Sequence, residues 1–172
     1  MTQILFTVLV GVVVLERVAE LVVARRNAQW AFARGGREAG FGHYPVMVVL
    51  HTALLVGALA EVWLADRPFL PALGWLMLAL AVGSQVLRWW CIATLGPRWN
   101  TRVIVVPDMP LVATGPYRVL RHPNYVAVVV EGFALPLVHS AWLTALLFTV
   151  ANAALLWVRI STENRALAQV AR

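Results

Sequence analysis

The sequence of 172 residues contains no lysine and a single cysteine, Cys91. One cysteine excludes an intramolecular disulfide framework and a multi-cysteine metal site, and no metal is expected. Charge is also scarce. Only 13% of the residues are charged and 61% are hydrophobic, against roughly 25% and 45–50% in a soluble domain. Mean hydropathy is +0.77. A water-soluble globule is therefore a poor description, and disorder, which needs low hydrophobicity, is excluded. No G-x-G-x-x-G loop is present, so a Rossmann-type cofactor site is excluded. There is no internal repeat or low-complexity tract. The first apolar stretch has no basic residues before it and no small-residue cleavage site after it, unlike a secretory leader.

What is present is a set of long apolar runs: Ile4 to Val23, Tyr44 to Ala65, Phe69 to Leu95, Tyr125 to His139 and Ala141 to Ile160. Continuous runs of this length argue for membrane helices rather than the alternating strands of a barrel. The fourth is short, since 15 residues of helix rise only about 22 Å against a hydrocarbon core of roughly 30 Å. With the fifth run it suggests a helical hairpin bent at Pro136 to Ser140. The Gly-rich stretch Arg25 to His43 and the stretch Gly96 to Asn124 read as polar loops. The whole chain, 1–172, is expected to be one membrane domain.

All fourteen basic residues are arginine, and the net charge is +6. Their positions explain most of that charge. Arg25, Arg26, Arg34 and Arg37 lie between runs one and two. Arg98, Arg102, Arg118 and Arg121 lie between runs three and four. Arg165 and Arg172 lie in the tail, with Arg159 just before it. The intervening links carry only Arg67. This alternation predicts five spans, with the N-terminus outside and the C-terminus in the cytoplasm of a bacterial cell. It also makes nucleic acid a poor partner and membrane lipids a natural one.

Charges inside membrane helices are costly and usually face the protein interior or water. Glu16, Arg17 and Glu20, and also Glu61, lie near span ends, where reaching the interface is the simpler reading. Glu131 lies within the fourth run and reads equally as a structural ion pair and as a base in a buried cavity. His51 reads first as a satisfied buried histidine, and His139 as an interface residue. The tryptophans, Trp89, Trp90 and Trp99 included, read mainly as interface anchors.

The segment Leu111 to Tyr125 is the most informative. Gly115-Pro116 and His122-Pro123-Asn124 punctuate it into turns, leaving Tyr117 to Arg121 room for one or two helical turns. Lipid headgroups would account for its arginines, but not for the tyrosines, histidine and prolines around them. The string Gly115-Pro116-Tyr117-Arg118-x-x-Arg121-His122-Pro123-x-Tyr125 resembles the C-terminal signature of the isoprenylcysteine carboxyl methyltransferase family. Leu95-Gly96-Pro97-Arg98-Trp99-Asn100 resembles its lead-in, and Arg159 with Glu163 resembles its last-helix pair. The resemblance covers about residues 85–167.

It implies an integral membrane enzyme with a cytosol-facing pocket for S-adenosylmethionine. Tyr117, His122, Pro123, Asn124 and Tyr125, with Leu111 and Val112, would contact the cofactor. Glu163 would bind its amino group and Arg159 would orient the substrate. Aromatic faces and a carboxylate suit a sulfonium and an ammonium, and Arg159 and Glu163 share a helical face. The front half, with Glu16-Arg17, Arg25-Arg26-Asn27 and His43-Tyr44-Pro45, is similar to a bacterial branch that includes methyltransferases of alkylresorcinols and alkylpyrones. That likeness makes Glu131 and His51 candidates for binding or deprotonating the acceptor. The expected reaction is O-methylation of an alkyl phenol or pyrone lipid. The alternatives are carboxyl methylation of a prenylated cysteine, an NADPH-dependent membrane reductase, and a transporter.

Overall fold

A computed structural model describes residues 1–170. Arg172, assigned above to the tail, lies outside the described residues. The elements in chain order are α1 (Gln3–Phe32), β1 (Arg37–Ala39), α2 (His43–Leu64), α3 (Pro71–Leu95), β2 (Val103–Val105), α4 (Pro123–Leu137) and α5 (Trp142–Val170). Single 3-10 turns occupy Gly96–Arg98 and Gly115–Arg118.

The apolar side chains face outward as well as inward, since Leu15, Val49, Val86 and Trp157 are all well exposed. An apolar exterior of this extent is the signature of a surface meant for lipid. Three helices are long and apolar enough to cross a bilayer: His43–Leu64, Pro71–Arg98 and Trp142–Ala168. The other two fall outside that set by composition and by length. Helix α1 has 30 residues but carries Glu16, Arg17 and Glu20. Helix α4 has 15 residues.

Two sequence expectations about loops give way. Helix α1 does not end at Arg25 but runs on to Phe32. Residues 25–32 hold no glycine or proline, and arginine, alanine and glutamine propagate a helix well. The helix stops only at Gly35, which is left-handed at φ +75°, with the Gly36 N–H donating back to the Ala31 carbonyl. The polar loops are also not purely irregular. Strands β1 and β2 pair antiparallel, Arg37 with Val105 and Ala39 with Val103. Asn27 donates to the carbonyls of Gly96 and Trp99, and Asn100 donates to the Ala24 carbonyl. The extension of α1 thus fastens the segment after α3 and buries Trp99, which is no interface anchor.

The α4–α5 hairpin turns at Pro136 to Ser140 as expected, with Ser140 left-handed at φ +58°. Close approach of the two helices is set by Gly132, where any Cβ would collide with the Phe148 ring. At this end of the bundle the five helices meet in one core that includes Phe6, Val10, Ala58, Val62, Met77, Ala81, Ala134 and Ala145. The small residues let the backbones come close. His139 is buried here, against Phe6 and Phe69, with Nε2 beside the Met1 carbonyl. It is therefore not an interface residue.

Glu61 is partly buried. Its carboxylate accepts from the backbone N–H groups of Leu143 and Thr144 and pairs with Arg67 at 2.9 Å. It supplies from another helix the cap that the start of α5 needs. Glu61→Ala is expected to cost about 1–2 kcal/mol, as a lost helix cap does, read as a lower melting temperature in detergent. The opposite end, which carries the polar loops, opens around a cavity.

Candidate active site

The loop before α4 is shaped by its turns. Gly115 is left-handed at φ +54°, and a Cβ there would lie 2.6 Å from Thr94 Oγ1 on α3. Glycine is the residue that permits both the conformation and the contact. The Tyr117 N–H donates to the Thr114 carbonyl and closes the following 3-10 turn. Burial pushes the Tyr117 phenol up, and Cys91, Glu163 and Tyr125 push the same way, so it stays a protonated donor. Pro123 takes the first position of α4, where a missing N–H costs nothing. The His122 carbonyl accepts from the Tyr125 and Val126 N–H groups. His122 and Tyr125 thereby stand together at the start of α4, with ring centroids 5.6 Å apart.

Both face the last helix. Tyr125 Oη donates to Glu163 Oε2 at 2.5 Å, and His122 Nδ1 lies 3.6 Å from Glu163 Oε1. His122 Nε2 is 3.2 Å from Asn164 Oδ1. One turn back on α5, Arg159 lies 5.8 Å from the Tyr125 ring centre. Arg159 Nη2 donates to the Thr101 carbonyl at 2.9 Å, and Nη1 is 3.1 Å from the Met47 thioether, a weak acceptor. Tyr117, His122, Pro123, Asn124, Tyr125, Arg159 and Glu163 are thus gathered at one end of the bundle. Leu111 and Val112 lie outside this set of side-chain contacts, and Leu111 is exposed.

Next to this group is a cavity of about 350 Å³. Its walls are mostly apolar and come from all five helices, including Val18, Leu55, Val128 and Leu156, with Arg88 from α3. Asn124, Tyr125 and Arg159 line its loop end, and His51 lines it from α2. His51 Nδ1 lies 2.9 Å from the Met47 carbonyl. A carbonyl only accepts, so Nδ1 carries the proton and the neutral ring keeps a lone pair on Nε2. The ring also stands edge-on to Phe148 at 5.3 Å.

Glu131 does not line the cavity. It sits in a buried charge cluster, the structural ion pair that was one of its two sequence readings, with partners that the sequence did not name. Arg88 donates directly to Glu131 Oε2, and Arg17 pairs with Glu20 at 2.7 Å and with Glu131 at 3.4 Å. Gln85 accepts from Arg17 and donates to Glu131 Oε1. Glu20 is only 4% exposed, so it does not reach the interface as its position near a span end suggested. Glu16 instead accepts from Trp89 Nε1. The signal available in sequence was spacing. Arg17 with Glu20, and Gln85 with Arg88, are i, i+3 pairs that each put two polar groups on one helix face.

Comparison with known proteins bears on this geometry. A family model described as the isoprenylcysteine carboxyl methyltransferase (ICMT) family matches residues 76–169. The chain belongs to the isoprenylcysteine carboxyl methyltransferase family. It is also similar to "Uncharacterized protein YpbQ" of Bacillus subtilis (strain 168), at 39% identity over 164 residues, covering 95% of this chain and 96% of that one. Membership makes it a membrane methyltransferase, of a family whose enzymes use S-adenosylmethionine. The matched region contains α4, α5 and the loop that joins α3 to α4, which are the elements that bring His122, Tyr125, Arg159 and Glu163 together.

Proposed function

We propose that the protein O-methylates a lipophilic hydroxyl, that of an alkyl phenol or pyrone lipid, with S-adenosylmethionine as donor. In this reading all five helices are embedded in the bacterial cell membrane, and the arginine-bearing loops and C-terminus face the cytoplasm. Residues 1–172 form one domain, with the cofactor region at 85–167. The observation that carries the reading is the cavity. It joins an apolar chamber to Tyr125 and Arg159 at one end, and His51, whose Nδ1 is engaged by the Met47 carbonyl, is among its lining residues.

The donor set suits the cofactor. Glu163 offers a carboxylate to an ammonium, and the His122 and Tyr125 rings offer faces to a sulfonium. When bound, S-adenosylmethionine supplies an activated methyl group on sulfur. Leu111 and Val112 contribute backbone to the same pocket. Arg159 turns its Nη1 from the Met47 thioether to the acceptor oxygen. His51 takes the acceptor's hydroxyl proton at Nε2, and the apolar walls hold the acceptor in line and exclude water. A carboxylate acceptor needs no base, so the lone pair on His51 favours a hydroxyl. Glu131, with both oxygens taken by Arg88, Arg17 and Gln85, positions the wall rather than moving a proton.

Two measurements test this. Purified protein given methyl-labelled S-adenosylmethionine is expected to label a long-chain alkylresorcinol and not an S-prenylated cysteine. The reverse preference would overturn the acceptor assignment. His51→Ala is expected to lower kcat by about 100- to 10,000-fold, the usual share of general-base catalysis, with cofactor affinity unchanged by calorimetry. An unaltered kcat would remove His51 from the mechanism.

A further inference from the structure

Asn152 is an unusual residue for the middle of a membrane helix. It lies about 15 Å along α5 from the start at Trp142, half the depth of a hydrocarbon core of roughly 30 Å. It is 2% exposed and lines the cavity, on the helix face that also carries Leu155, Leu156 and Arg159. An asparagine at this depth ordinarily bonds across to another helix. Among the described residues this one does not. Oδ1 is sealed off and has no partner. Nδ2 makes no hydrogen bond either, but it is not sealed, so it is the end of the planar amide that opens to the cavity. It carries two N–H donors. A buried amide without partners costs free energy that leucine would not, so packing does not account for it.

The level of Asn152 is informative. Helices α2 and α5 run antiparallel, with Gly57 against Thr144, His51 against Phe148 and Met47 against Arg159. Asn152 is one turn beyond Phe148 and so falls between the levels of His51 and Met47. A hydroxyl that meets His51 in the cavity is therefore at the depth that the open amide end of Asn152 faces.

We propose that Asn152 donates from Nδ2 to the acceptor oxygen, alongside Arg159, and stabilises the negative charge that develops there as the proton leaves. The O–H bond breaks and its proton passes to His51 Nε2. The oxygen forms its bond to the methyl carbon, and the carbon–sulfur bond breaks with its electron pair staying on sulfur. A simple phenol has a pKa of about 10, so near neutral pH the ionised oxygen is the unfavourable species. A donor aimed at it in a water-poor cavity lowers that barrier. Asparagine supplies the donor without a charge of its own, which this depth would penalise. The role rests on the reading of the protein as a methyltransferase of lipophilic hydroxyls.

The test uses the full chain in detergent with two lipids, a long-chain alkylresorcinol and its ring-fluorinated counterpart, whose hydroxyl is acidic enough to arrive ionised. Asn152→Leu is expected to lower kcat for the plain lipid by about 100-fold, the effect of one lost oxyanion donor, and to leave kcat for the fluorinated lipid within about threefold. With no cofactor present, the phenolate absorbance of the bound alkylresorcinol is expected to appear at a pH about one to two units higher than in the wild type, the size of one hydrogen bond to a charged oxygen. A merely structural asparagine would move neither contrast. Calorimetry with S-adenosylmethionine shows whether the variant is folded; where it is not, Asn152→Ala, which removes the amide without adding bulk, is read in its place. A kcat unchanged or equally lowered on both lipids, or an unshifted ionisation, overturns the role of Asn152 and leaves hydroxyl methylation standing. Methylation of neither lipid by the wild type overturns both.

Discussion

Glu163→Ala is expected to weaken S-adenosylmethionine binding by about 100-fold. Glu163 is where the loop and the last helix meet, through Tyr125 Oη at 2.5 Å and His122 at 3.6 Å. A hydrogen bond to a charged group contributes up to about 3 kcal/mol, and about 1.4 kcal/mol is tenfold in affinity. The alanine variant also leaves the buried Tyr125 hydroxyl without its acceptor. Glu163→Gln keeps an acceptor for Tyr125 and loses only the charge, so it is expected to fall between alanine and wild type. Trp157→Ala, on the exposed face of the same helix, is the control and is expected to bind normally. Calorimetry in detergent reads all three. Unchanged binding in Glu163→Ala would remove this residue from the cofactor site.

The second large effect is on stability. Glu131→Leu is expected to destabilise the protein by about 3–5 kcal/mol, the usual cost of leaving a buried charge unpaired. The reason is a balance of charge. Arg17 and Arg88 face Glu20 and Glu131, and all four are wholly or largely buried. Removing Glu131 leaves two guanidinium groups for one buried carboxylate, with the partly exposed Glu16 3.9 Å from Arg17. Removing Arg88 as well restores one of each, so Arg88→Leu with Glu131→Leu is expected to recover most of the loss. A double variant as unstable as the sum of the two single ones would show that the pair is not coupled. Glu131→Gln keeps one oxygen for Arg88 and Gln85 and is expected to lose less than the leucine variant.

The parts that were legible in sequence share a physical property: they are local. The turn residues Gly115, Pro116, His122 and Pro123 set backbone shape within a few positions, and the structure bends where they fall. Arg159 and Glu163 share a face through helical spacing alone. Pro136 to Ser140 ends α4 as its composition required. The parts that escaped are pairings between distant segments. Strand β1 has no pattern of its own in three residues and exists because β2 is beside it. The burial of Glu20 follows from Arg17 on its own helix and from Arg88 on α3, and that of His139 from Phe6 on α1 and Phe69 before α3. Charge near a span end looked like an interface feature because interface and interior differ only in what lies opposite. The end of α1 was misplaced for another reason. Arginine marks both loops and good helices, and glycine, at 35 and 36, was the residue that terminated it.

Methyl transfer to a lipid hydroxyl is tested most directly by the stability of the product's methyl bond. Purified protein is incubated with a membrane lipid extract and S-adenosylmethionine carrying a deuterated methyl group. The lipids are then analysed by mass spectrometry before and after mild alkali. The account predicts a lipid heavier by one labelled methyl whose label survives alkali, as an aryl or enol ether does. A label that alkali releases as methanol would mark a carboxyl ester and contradict it.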